Sequence, residues 1–377
     1  MSKKRILVVF GTRPEAIKMC PVINELKKRK EFETIVAVTG QHRQMLDQVI
    51  EAFSVTPHFD LEIMKERQSL FDITVNVLEG IKKVLVKVKP DIVLVHGDTS
   101  TAFATALAAF YLKIPVGHVE AGLRTNNIHS PFPEEFNREA VSLIAELHFA
   151  PTKVARENLI KEGKPIEKIY VTGNTVVDAL KITVKDDFFH PDLKWALESD
   201  NAGESSKFIL LTAHRRENIG EPMRNIFRAV KKVLDENQEF KLIYPVHLNP
   251  LIQEMAVEEL GDCPNVRLIT PLDVIAFHNF ISRSYLILTD SGGIQEEAAS
   301  LGKPVLVMRD TTERPEGIEN GILKLVGTNE KNIYREFNEL LRDSSKYKIM
   351  SNAKNLYGDG YASVRIADVL NDFINKQ

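Results

Sequence analysis

The stretch that decides the fold spans Asp91–Arg138 and reads DIVLVHGDTSTAFATALAAFYLKIPVGHVEAGLRTNNIHSPFPEEFNR. Its two apolar runs, Ile92–His96 and Pro115–Val119, are typical of buried parallel strands with a helix between them. A carboxylate follows each run, Asp98 after the first and Glu120 after the second. Open parallel sheets bind their ligands outside the carboxyl ends of the strands. The stretch therefore predicts a ligand-binding edge that carries acidic side chains.

Further charged side chains follow in the same stretch. Glu134 and Glu135 lie on a proline-flanked loop, and the arginines Arg124 and Arg138 lie on either side of them. We therefore expect a third acidic group and two arginines at the same edge of the sheet. This combination predicts that the edge receives an anionic ligand.

Size and composition predict a cytoplasmic protein with two domains. Single hydrophobic cores stop growing near ~250–300 residues, and this chain has 377. The formal net charge of -3 gives no electrostatic reason to expect nucleic acid as a partner. Cys20 and Cys263 are too few for a disulfide framework or a zinc site. The apolar runs Ile6–Phe10 and Ala102–Leu112 are too short for a signal peptide and for a membrane span, respectively, so we expect no membrane partner.

Strand and helix patterns alternate along almost the whole chain. The alternation predicts an α/β protein with two Rossmann-like, doubly wound domains that face a central cleft. We expect a first domain at 1–184, a polar and partly helical connector at 185–206, a second domain at 207–360 and a helix at 361–377 that crosses back to the first. The predicted strands are Arg5–Phe10, Thr34–Thr39, Leu61–Met64, Ile92–His96, Pro115–Val119, His148–Ala150, Lys168–Thr172, Phe208–Ala213, Lys241–Pro245, Val266–Ile269, Tyr285–Thr289 and Pro304–Val307.

The motif GTRPE, Gly11–Glu15, lies between the first strand and the first helix. Glycine permits a tight turn there, and a helix N-terminus attracts anions. Arg13 adds a donor fork for phosphate or carboxylate, and Lys18 follows one helical turn later. An ordinary strand–helix turn with a solvated arginine is the alternative interpretation.

The motif TDSGGIQEE, Thr289–Glu297, repeats this arrangement in the second domain. Asp290 and Ser291 can cap a helix, and Gly292 with Gly293 lets a diphosphate approach the backbone closely. Glu297, one turn into that helix, is suited to accept hydrogen bonds from ribose hydroxyls. The alternative interpretation is a capped structural helix.

Two further motifs place basic side chains at strand ends. HRRENIG begins at His214, and TTERPE contains Arg314. Both suit anion binding, although a charged surface loop remains the alternative for the first. The chain has no GxGxxG, no GxxxxGK[ST] and no metal-ligand spacing. We therefore expect no cofactor and no metal, and we interpret the phosphate-binding features as recognition of a substrate diphosphate.

Seven segments together resemble one known family. They are GTRPEAIK, HGDT, VEAGLRT, SPFPEEFNR, HRREN, DSGGIQEE and MRDTTERPE, in this order, from Gly11 to Glu316. The set resembles the non-hydrolysing UDP-N-acetylglucosamine 2-epimerases. Each segment is a weak signal by itself, but seven in order cover both predicted domains. The resemblance implies the two-domain fold of GT-B-type glycosyltransferases, with UDP held mainly by the second domain.

The resemblance implies an isomerase that interconverts UDP-N-acetylglucosamine and UDP-N-acetylmannosamine. UDP would be eliminated to leave 2-acetamidoglucal and then added again. The implied roles are catalysis for Asp98, Glu120, Glu134 and His214, and binding of substrate or UDP for Arg13, Lys18, Arg138, Phe277, Ser291, Gly292, Gly293, Glu297 and Arg314.

The resemblance also implies regulation and assembly. A second UDP-N-acetylglucosamine site beside the active site would activate the enzyme allosterically. Family habit suggests a homodimer that supplies a precursor of cell-surface polysaccharide. The residues that match the pattern of the second site are Gln41, His42, Gln44, Arg67, Arg215 and His247.

Several alternatives remain open. Asp98 could cap a helix over Thr99–Lys113, and Glu120 could form a buried ion pair with Arg124. At the level of function, the rivals are a hydrolysing 2-epimerase that releases N-acetylmannosamine and UDP, and a GT-B glycosyltransferase that uses the same nucleotide pocket. A nucleotide-sugar-binding regulator without catalysis is a rival outside enzymology.

Overall fold

The computed structural model describes residues 3–40, 43–64, 68–198, 206–312 and 314–376, with only the backbone described at 43–45. The chain forms two compact units. The first consists of Met1–Ile182 and Tyr357–Gln377, and the second of Thr183–Leu356. Each unit is built around its own parallel β-sheet flanked by helices, which confirms the predicted α/β class.

The first unit contains a seven-stranded sheet. Its strands are β1 (Lys4–Phe10), β2 (Phe32–Val38), β3 (Phe59–Asp60), β4 (Ile92–His96), β5 (Val116–Val119), β6 (Leu147–Ala150) and β7 (Ile169–Val171). The helices between and after them are α1 (Arg13–Lys28), α2 (Arg43–Ala52), α3 (Leu70–Val88), α4 (Ser100–Tyr111), α5 (Glu134–Ile144), α6 (Lys153–Lys161) and α7 (Thr175–Thr183).

The second unit contains a six-stranded sheet. Its strands are β8 (Lys207–Thr212), β9 (Phe240–Pro245), β10 (Val266–Ile269), β11 (Leu286–Thr289), β12 (Val305–Val307) and β13 (Leu323–Leu325). Its helices are α8 (Pro191–Leu197), α9 (Glu221–Glu236), α10 (Pro250–Leu260), α11 (Val274–Arg283), α12 (Gly292–Ser300), α13 (Pro315–Glu319), α14 (Glu330–Arg342) and α15 (Ser344–Ser351). The last helix, α16 (Ala362–Asn375), belongs to the first unit.

Both sheets are doubly wound, and each has one point where the strand order reverses. The first sheet runs β3-β2-β1-β4-β5-β6-β7 and the second β10-β9-β8-β11-β12-β13, with every pairing parallel. The chain therefore leaves β1 in one direction and resumes at its other neighbour, β4. Such a switch point is where open α/β sheets bind ligands. The turns after β1 and β4 meet at the first switch point, and those after β8 and β11 meet at the second.

Apolar packing surrounds the strands at the switch point of the first sheet. The residues of β4 are buried throughout, and so are Ile6–Phe10 of β1, because helices cover both faces of the sheet. The alanine-rich helix α4 packs against α3 and α5, since small side chains allow close approach. The helix α16 packs on α1, and Arg29 Nη2 lies 2.9 Å from Asp368 Oδ1.

The structure departs from the expected strands at two places. The predicted strand Leu61–Met64 is wrong, because the sheet takes up only Phe59–Asp60 in that region. The strand Leu323–Leu325 was not predicted, since three residues with a central lysine give too little periodicity to recognise an edge strand. The segment expected as a connector contains a helix, Pro191–Leu197, as predicted, but it falls in the second unit and does not separate two units. In the described part of the chain, no helix has the length and apolarity to cross a membrane.

The backbone at Gly122 gives a direct test of the packing after β5. Its φ is +91°, and an added Cβ would lie 2.2 Å from the carbonyl oxygen of Ala155. Gly163 has a similar φ of +78°, but no atom lies within 4 Å of an added Cβ. We expect Gly122→Ala to lower the free energy of unfolding by about 3 kcal/mol, since steric overlap adds to backbone strain.

Gly163→Ala is the matched control, because it introduces the same kind of backbone strain without the overlap. Its expected loss is about 1 kcal/mol. Urea unfolding of both variants measures the difference. Equal losses would show that the approach of Ala155 to Gly122 is easily relieved.

Candidate functional site

The turn after β1 is fixed by a reciprocal capping arrangement. The Thr12 hydroxyl accepts from the backbone N–H of Glu15, and the Glu15 carboxylate accepts from the N–H groups of Gly11 and Thr12 at 3.0 and 2.8 Å. An added Cβ at Gly11 would lie 2.1 Å from the Thr39 hydroxyl oxygen, so glycine is required for this close approach. Arg13, half-buried, begins α1 directly after this turn.

Glu15 also joins the two turns at the switch point of the first sheet. Its second carboxylate oxygen accepts from the hydroxyl of Thr99, in the turn after β4, at 2.8 Å. Burial raises the pKa of the Glu15 carboxyl, while the nearby His96 and the hydrogen bonds from Gly11, Thr99 and Thr12 act in the opposite direction. One buried carboxylate thus sets the position of both turns relative to each other.

The turn after β4 presents Asp98 to an arginine. The Thr99 side chain caps α4 by accepting from the N–H of Ala102, so the proposed capping role of Asp98 is wrong. The Asp98 carboxylate forms an ion pair with Arg138, and the Asn137 amide donates to the Asp98 carbonyl at 2.9 Å. Neighbouring residues of α5 therefore hold both the side chain and the backbone of Asp98.

The Glu120 carboxylate lies beside that turn. An added Cβ at Gly97 would be 3.6 Å from Glu120 Oε1, which places the carboxylate directly against the residue before Asp98. Glu120 forms an ion pair with Lys18, accepts from the Asn174 amide at 3.0 Å and has His96 Nε2 at 3.7 Å from Oε2. Its backbone φ of +63° is unusual for a non-glycine residue, and such strain is concentrated at functional sites.

The expected place of Arg124 at this site is wrong. Its guanidinium binds both carboxylate oxygens of Glu162 at 2.6 and 2.9 Å and donates to the hydroxyl of Ser142. The alternative of a buried Glu120–Arg124 ion pair is therefore wrong as well. Arg124 anchors the segment after β5 to the end of α6, and Lys18 is the cation at Glu120.

The two glutamates at the start of α5 differ in their surroundings. Glu135 is completely buried and accepts from the backbone N–H groups of Thr125 and Asn126 at 2.7 and 2.9 Å. Its other oxygen lies 3.1 Å from Arg138 Nη1. Glu134 is half-buried at the first position of the helix. Glu135 is thus used for structure, and Glu134 is the more exposed of the two.

A buried histidine contacts the turn after β4 from the interior of the first unit. His118 of β5 lies with Nε2 2.8 Å from the carbonyl oxygen of Gly97. Burial lowers the pKa of the His118 imidazole to about 3, with Gly97 opposing this and His148 adding to it. A neutral ring at ordinary pH can donate to the carbonyl without placing a charge in the core. The glycine before Asp98 is therefore held from the interior.

Asp290 organises the switch point of the second sheet. Its carboxylate is fully buried and accepts from the backbone N–H groups of His214 and Arg215, each at 2.9 Å. The Asn218 amide donates to the same carboxylate at 3.1 Å. Asp290 therefore fixes the loop after β8 and does not cap α12. The Ser291 side chain makes no capping hydrogen bond within the described structure, so the interpretation of this motif as an ordinary capped helix is wrong.

His214 is a partly exposed imidazole held between two groups. Its Nδ1 lies 3.5 Å from Asp290 Oδ1, and its ring stacks on that of His247 at 5.8 Å between centroids. Desolvation lowers the pKa of His214, and the charge of Asp290 opposes this shift, while Arg215 and His247 contribute further lowering. The ring is therefore held near a buried carboxylate while part of it remains accessible.

The N-terminus of α12 lies beside two guanidinium groups. An added Cβ at Gly292 would be 2.8 Å from Arg314 Nη1 and 3.8 Å from Arg215 Nη2. At Gly293 no atom lies within 4 Å of such a Cβ, so the backbone is open there. Arg314 is buried and oriented by Glu296, whose Oε1 lies 2.8 Å from its Nε. Helix N-terminal N–H groups and guanidinium groups are the donors that commonly bind phosphate.

The remaining residues expected at the nucleotide site lie on α11 and α12. Glu297 is largely buried one turn into α12, with His278 Nε2 at 3.7 Å from its Oε2. Phe277 is half-buried on α11.

Only part of the expected second site can be located. Gln41, His42 and Arg67 lie outside the described residues, and of Gln44 only the helical backbone is described. Arg215 is located beside Gly292, and His247 against His214.

The sequence reasoning missed His96 and Asn174, gave no role to Glu15 of the first motif and gave Asp290 only a capping role. His96 ends β4 and Asn174 follows β7, Glu15 lies in the first turn of α1, and Asp290 directly follows β11. The signal that could have found His96 and Asn174 is their place at or just after the ends of β4 and β7. Among the described residues, no group of three or more His, Cys, Asp or Glu side chains could hold a metal ion.

Comparison with known proteins identifies relatives along the full length of the chain. A family model described as UDP-N-acetylglucosamine 2-epimerase matches residues 24–371. The UDP-N-acetylglucosamine 2-epimerase of Bacillus subtilis (strain 168) is 59% identical over 370 residues, which cover 98% of this chain and 96% of the relative.

Solved structures of UDP-N-acetylglucosamine 2-epimerases are also similar to this chain along nearly its full length. The S. aureus MnaA–UDP co-structure has a TM-score of 0.92 at 52% identity, covering 99% of this chain and 97% of that one. The UDP-GlcNAc 2-epimerase of Neisseria meningitidis, bound to UDP-GlcNAc, has a TM-score of 0.90 at 48% identity, covering 98% and 100%. A kitacinnamycin glycotransferase is similar in fold alone, with a TM-score of 0.67 at 12% identity, covering 99% and 100%. The architecture is therefore of the GT-B glycosyltransferase type.

The position of Asp290 beside His214 leads to a measurable consequence. Replacing Asp290 by asparagine removes the larger of the two negative charges that raise the pKa of His214, so that only Glu217 still opposes the lowering by burial. We therefore expect a lower pKa for His214 in Asp290→Asn, so that the ring protonates only at more acidic pH. An NMR titration of the histidine C–H resonances measures it, with the His214 signal assigned from a His214→Gln sample.

Asp262→Asn is the control, because Asp262 is an exposed carboxylate of the same unit. It should leave the titration of His214 unchanged. An unchanged or higher pKa of His214 in Asp290→Asn would show that the contact of the two side chains does not persist in solution.

Proposed function

We propose a specific reaction for this chain, which belongs to the UDP-N-acetylglucosamine 2-epimerase family. In this proposal it is a non-hydrolysing isomerase that interconverts UDP-N-acetylglucosamine and UDP-N-acetylmannosamine. The observation that carries the proposal is the pair Asp98 and Glu120. They lie at adjacent strand ends of the first sheet, each joined to a cation. Two ordered carboxylates at one edge suit a reaction that moves a proton on and off both faces of a carbon atom.

The chemistry of the substrate explains why elimination is the expected route. The C2 hydrogen of the sugar is not next to a carbonyl group, so direct removal of this proton is difficult. When the C1–O bond to UDP breaks, the electron pair leaves with UDP and positive charge grows on the ring. A base then takes the C2 proton, which leaves 2-acetamidoglucal. Addition of the UDP oxygen to C1, with a proton delivered to the other face of C2, completes the inversion.

In this proposal, residues of the first unit remove the C2 proton and return it. Asp98, Glu120 and Glu134 are the acid and base groups, without an assignment of each to one face of C2. Arg138 orients the Asp98 carboxylate, and Lys18 pairs with Glu120. The His96 imidazole adjoins Glu120, and its Nε2 has no hydrogen-bond partner among the described residues. The two acids are thus ordered by fixed cations and do not depend on solvent for their orientation.

The second unit would hold the nucleotide and stabilise the leaving group. Arg314 and the N-terminus of α12 face the position suited to a diphosphate, and His214 lies at the neighbouring strand end. As the C1–O bond breaks, negative charge grows on that diphosphate, and preorganised donors lower the barrier. Glu297 would accept from the ribose hydroxyls, and Phe277 would lie near the uracil. The co-structure of the S. aureus relative with UDP supports a uridine nucleotide as the ligand.

Solvent exchange distinguishes this proposal from its rivals. The enzyme is incubated in D₂O with UDP-N-acetylglucosamine alone, and the products are followed by NMR and mass spectrometry. We expect UDP-N-acetylmannosamine that carries deuterium at C2. Asp98→Asn should lower both turnover and exchange by about 100-fold or more, the usual contribution of general acid–base catalysis. It should leave binding of UDP unchanged, because the proposal assigns the nucleotide to the second unit.

Asp372→Asn is the matched control, since it changes an exposed carboxylate of the same unit. Free N-acetylmannosamine with UDP would indicate the hydrolysing epimerase. Turnover that begins only when an acceptor is added would favour a glycosyltransferase, and binding without turnover or exchange, with or without an acceptor, would favour a regulator. A near-normal rate of Asp98→Asn would remove Asp98 from the mechanism.

Regulation by the substrate is the second part of the proposal, and it is supported by the sequence pattern of the second site. Arg215 and His247 match that pattern. Arg215 Nη2 would lie 3.8 Å from a Cβ added at Gly292, so in this proposal it contacts a diphosphate bound at the start of α12. A cytoplasmic homodimer that supplies a polysaccharide precursor also remains part of the proposal.

The reverse reaction tests the regulation. With UDP-N-acetylmannosamine as the only substrate we expect little turnover at first, because the activating ligand is absent. A small addition of UDP-N-acetylglucosamine should restore the rate and remove the lag. Progress curves measured by capillary electrophoresis show this. Full activity from the first seconds without added activator would refute the regulation and leave the epimerase chemistry untouched.

A further inference from the structure

A buried histidine that has no role so far connects the start of the second unit to the expected ribose site. His278 lies on α11 with 1% of its surface exposed. Its Nδ1 is 2.7 Å from the hydroxyl oxygen of Thr183, and its Nε2 is 3.7 Å from Oε2 of Glu297. The imidazole therefore lies between a hydroxyl group that hydrogen bonds to it and a carboxylate that faces its second nitrogen.

We propose that His278 is a positioning residue that holds the Glu297 carboxylate in the orientation that accepts the ribose hydroxyls, and that Thr183 fixes the imidazole for this task. The proposal rests on the proposed function, since it takes Glu297 to be the ribose-binding group.

The hydrogen-bonding capacity of the ring dictates its protonation pattern. The nitrogen that faces a carboxylate must carry a hydrogen, because two acceptors would repel each other. In the neutral ring the other nitrogen, Nδ1, is then an acceptor and receives the hydrogen of the Thr183 hydroxyl. Thr183 thereby selects the form of His278 that donates towards Glu297. A residue that fixes the tautomer of a histidine also fixes what the histidine can orient.

Thr183 is itself held by α11. The Asn279 side chain donates to the Thr183 carbonyl at 2.8 Å and accepts from the N–H of Lys185 at 3.0 Å. Arg283 Nη1 donates to the same Asn279 oxygen at 2.8 Å. The chain enters the second unit at Thr183, the last residue of α7, so consecutive side chains of α11 hold this entry segment. The hydroxyl that orients His278 therefore has a fixed position.

The place of Glu297 in α12 makes a donor beside its carboxylate important. It follows the N-terminus of α12 by one turn, where the helix field and Arg314 attract negative charge. The adjacent Glu296 is already drawn to Arg314 at 2.8 Å. A second carboxylate attracted to the same cation would compete with the diphosphate for it. A donor at His278 attracts the Glu297 carboxylate away from that cation, so that it is ready for hydroxyl groups before the nucleotide binds. Binding then requires less ordering.

The test compares two nucleotides that differ only at the ribose. Isothermal titration measures the affinities of UDP and of 2′,3′-dideoxyuridine diphosphate, which lacks both hydroxyls. The wild-type chain should prefer UDP by about 10- to 100-fold, as hydrogen bonds to a charged acceptor allow. Glu297→Gln, His278→Phe and Thr183→Val should each reduce this preference to less than about a third of the wild-type ratio. Thr183→Ser, which keeps the hydroxyl, should retain it.

The affinity for the dideoxy nucleotide separates positioning from general structure. If His278 acts on the ribose alone, this affinity stays at the wild-type value in His278→Phe and Thr183→Val. Equal loss of affinity for both nucleotides would mean that His278 only supports the fold, and this overturns the proposal. Thr183→Val provides the decision should His278→Phe fail to fold.

The outcomes also separate this inference from the proposed function. If Glu297→Gln loses the preference but His278→Phe and Thr183→Val keep it, Glu297 binds ribose without help and only the inference fails. If the wild-type chain shows no preference, the ribose role of Glu297 fails and the inference fails with it.

Discussion

The Glu15 carboxylate is the constraint on which the site of the first unit depends. Its two oxygens accept hydrogen bonds from the turn after β1 and from Thr99 after β4. These turns carry Arg13 and Asp98, and α1 carries Lys18 to Glu120. A carboxylate in the interior is costly unless its hydrogen-bonding capacity is filled. Here the neighbouring turns supply the hydrogen bonds that the Glu15 carboxylate needs. The positions of Arg13 and Asp98 at the sheet edge therefore follow from the hydrogen bonding of a buried carboxylate.

The second unit uses the same principle with a different residue. Asp290, fully buried, accepts from the backbone of the loop after β8 and thereby positions His214 and Arg215. In both units a buried carboxylate at the switch point joins the turns of two adjacent strands. The positions of the partly exposed residues Arg13 and His214 thus follow from the hydrogen bonds of a buried carboxylate in each unit. Doubly wound sheets supply the adjacent turns, and the buried acid joins them.

Sequence reasoning reached the architecture because parallel strands leave a plain signal. The apolar runs before Asp98 and Glu120 are buried on both faces, so they stand out without alternation. The short strands Phe59–Asp60 and Leu323–Leu325 could not be recognised, since two or three residues carry no periodicity. The motifs located Asp98, Glu120 and the glycines of α12 at strand ends. Side-chain partners were harder to foresee: Arg124 pairs with Glu162, whose distance along the chain gave no hint of proximity.

The left-handed backbone of Glu120 has a consequence for the choice of residue at this position in protein design. Glycine would adopt the same conformation without the penalty of about 1 kcal/mol or more that an ordinary side chain incurs. A procedure that optimises foldability alone would therefore discard the glutamate. The carboxylate, however, supplies the contacts with Lys18 and Asn174 that a glycine there would forfeit. An exchange of Glu120 for glycine would therefore lower the backbone strain and at the same time leave these two side chains without this acceptor.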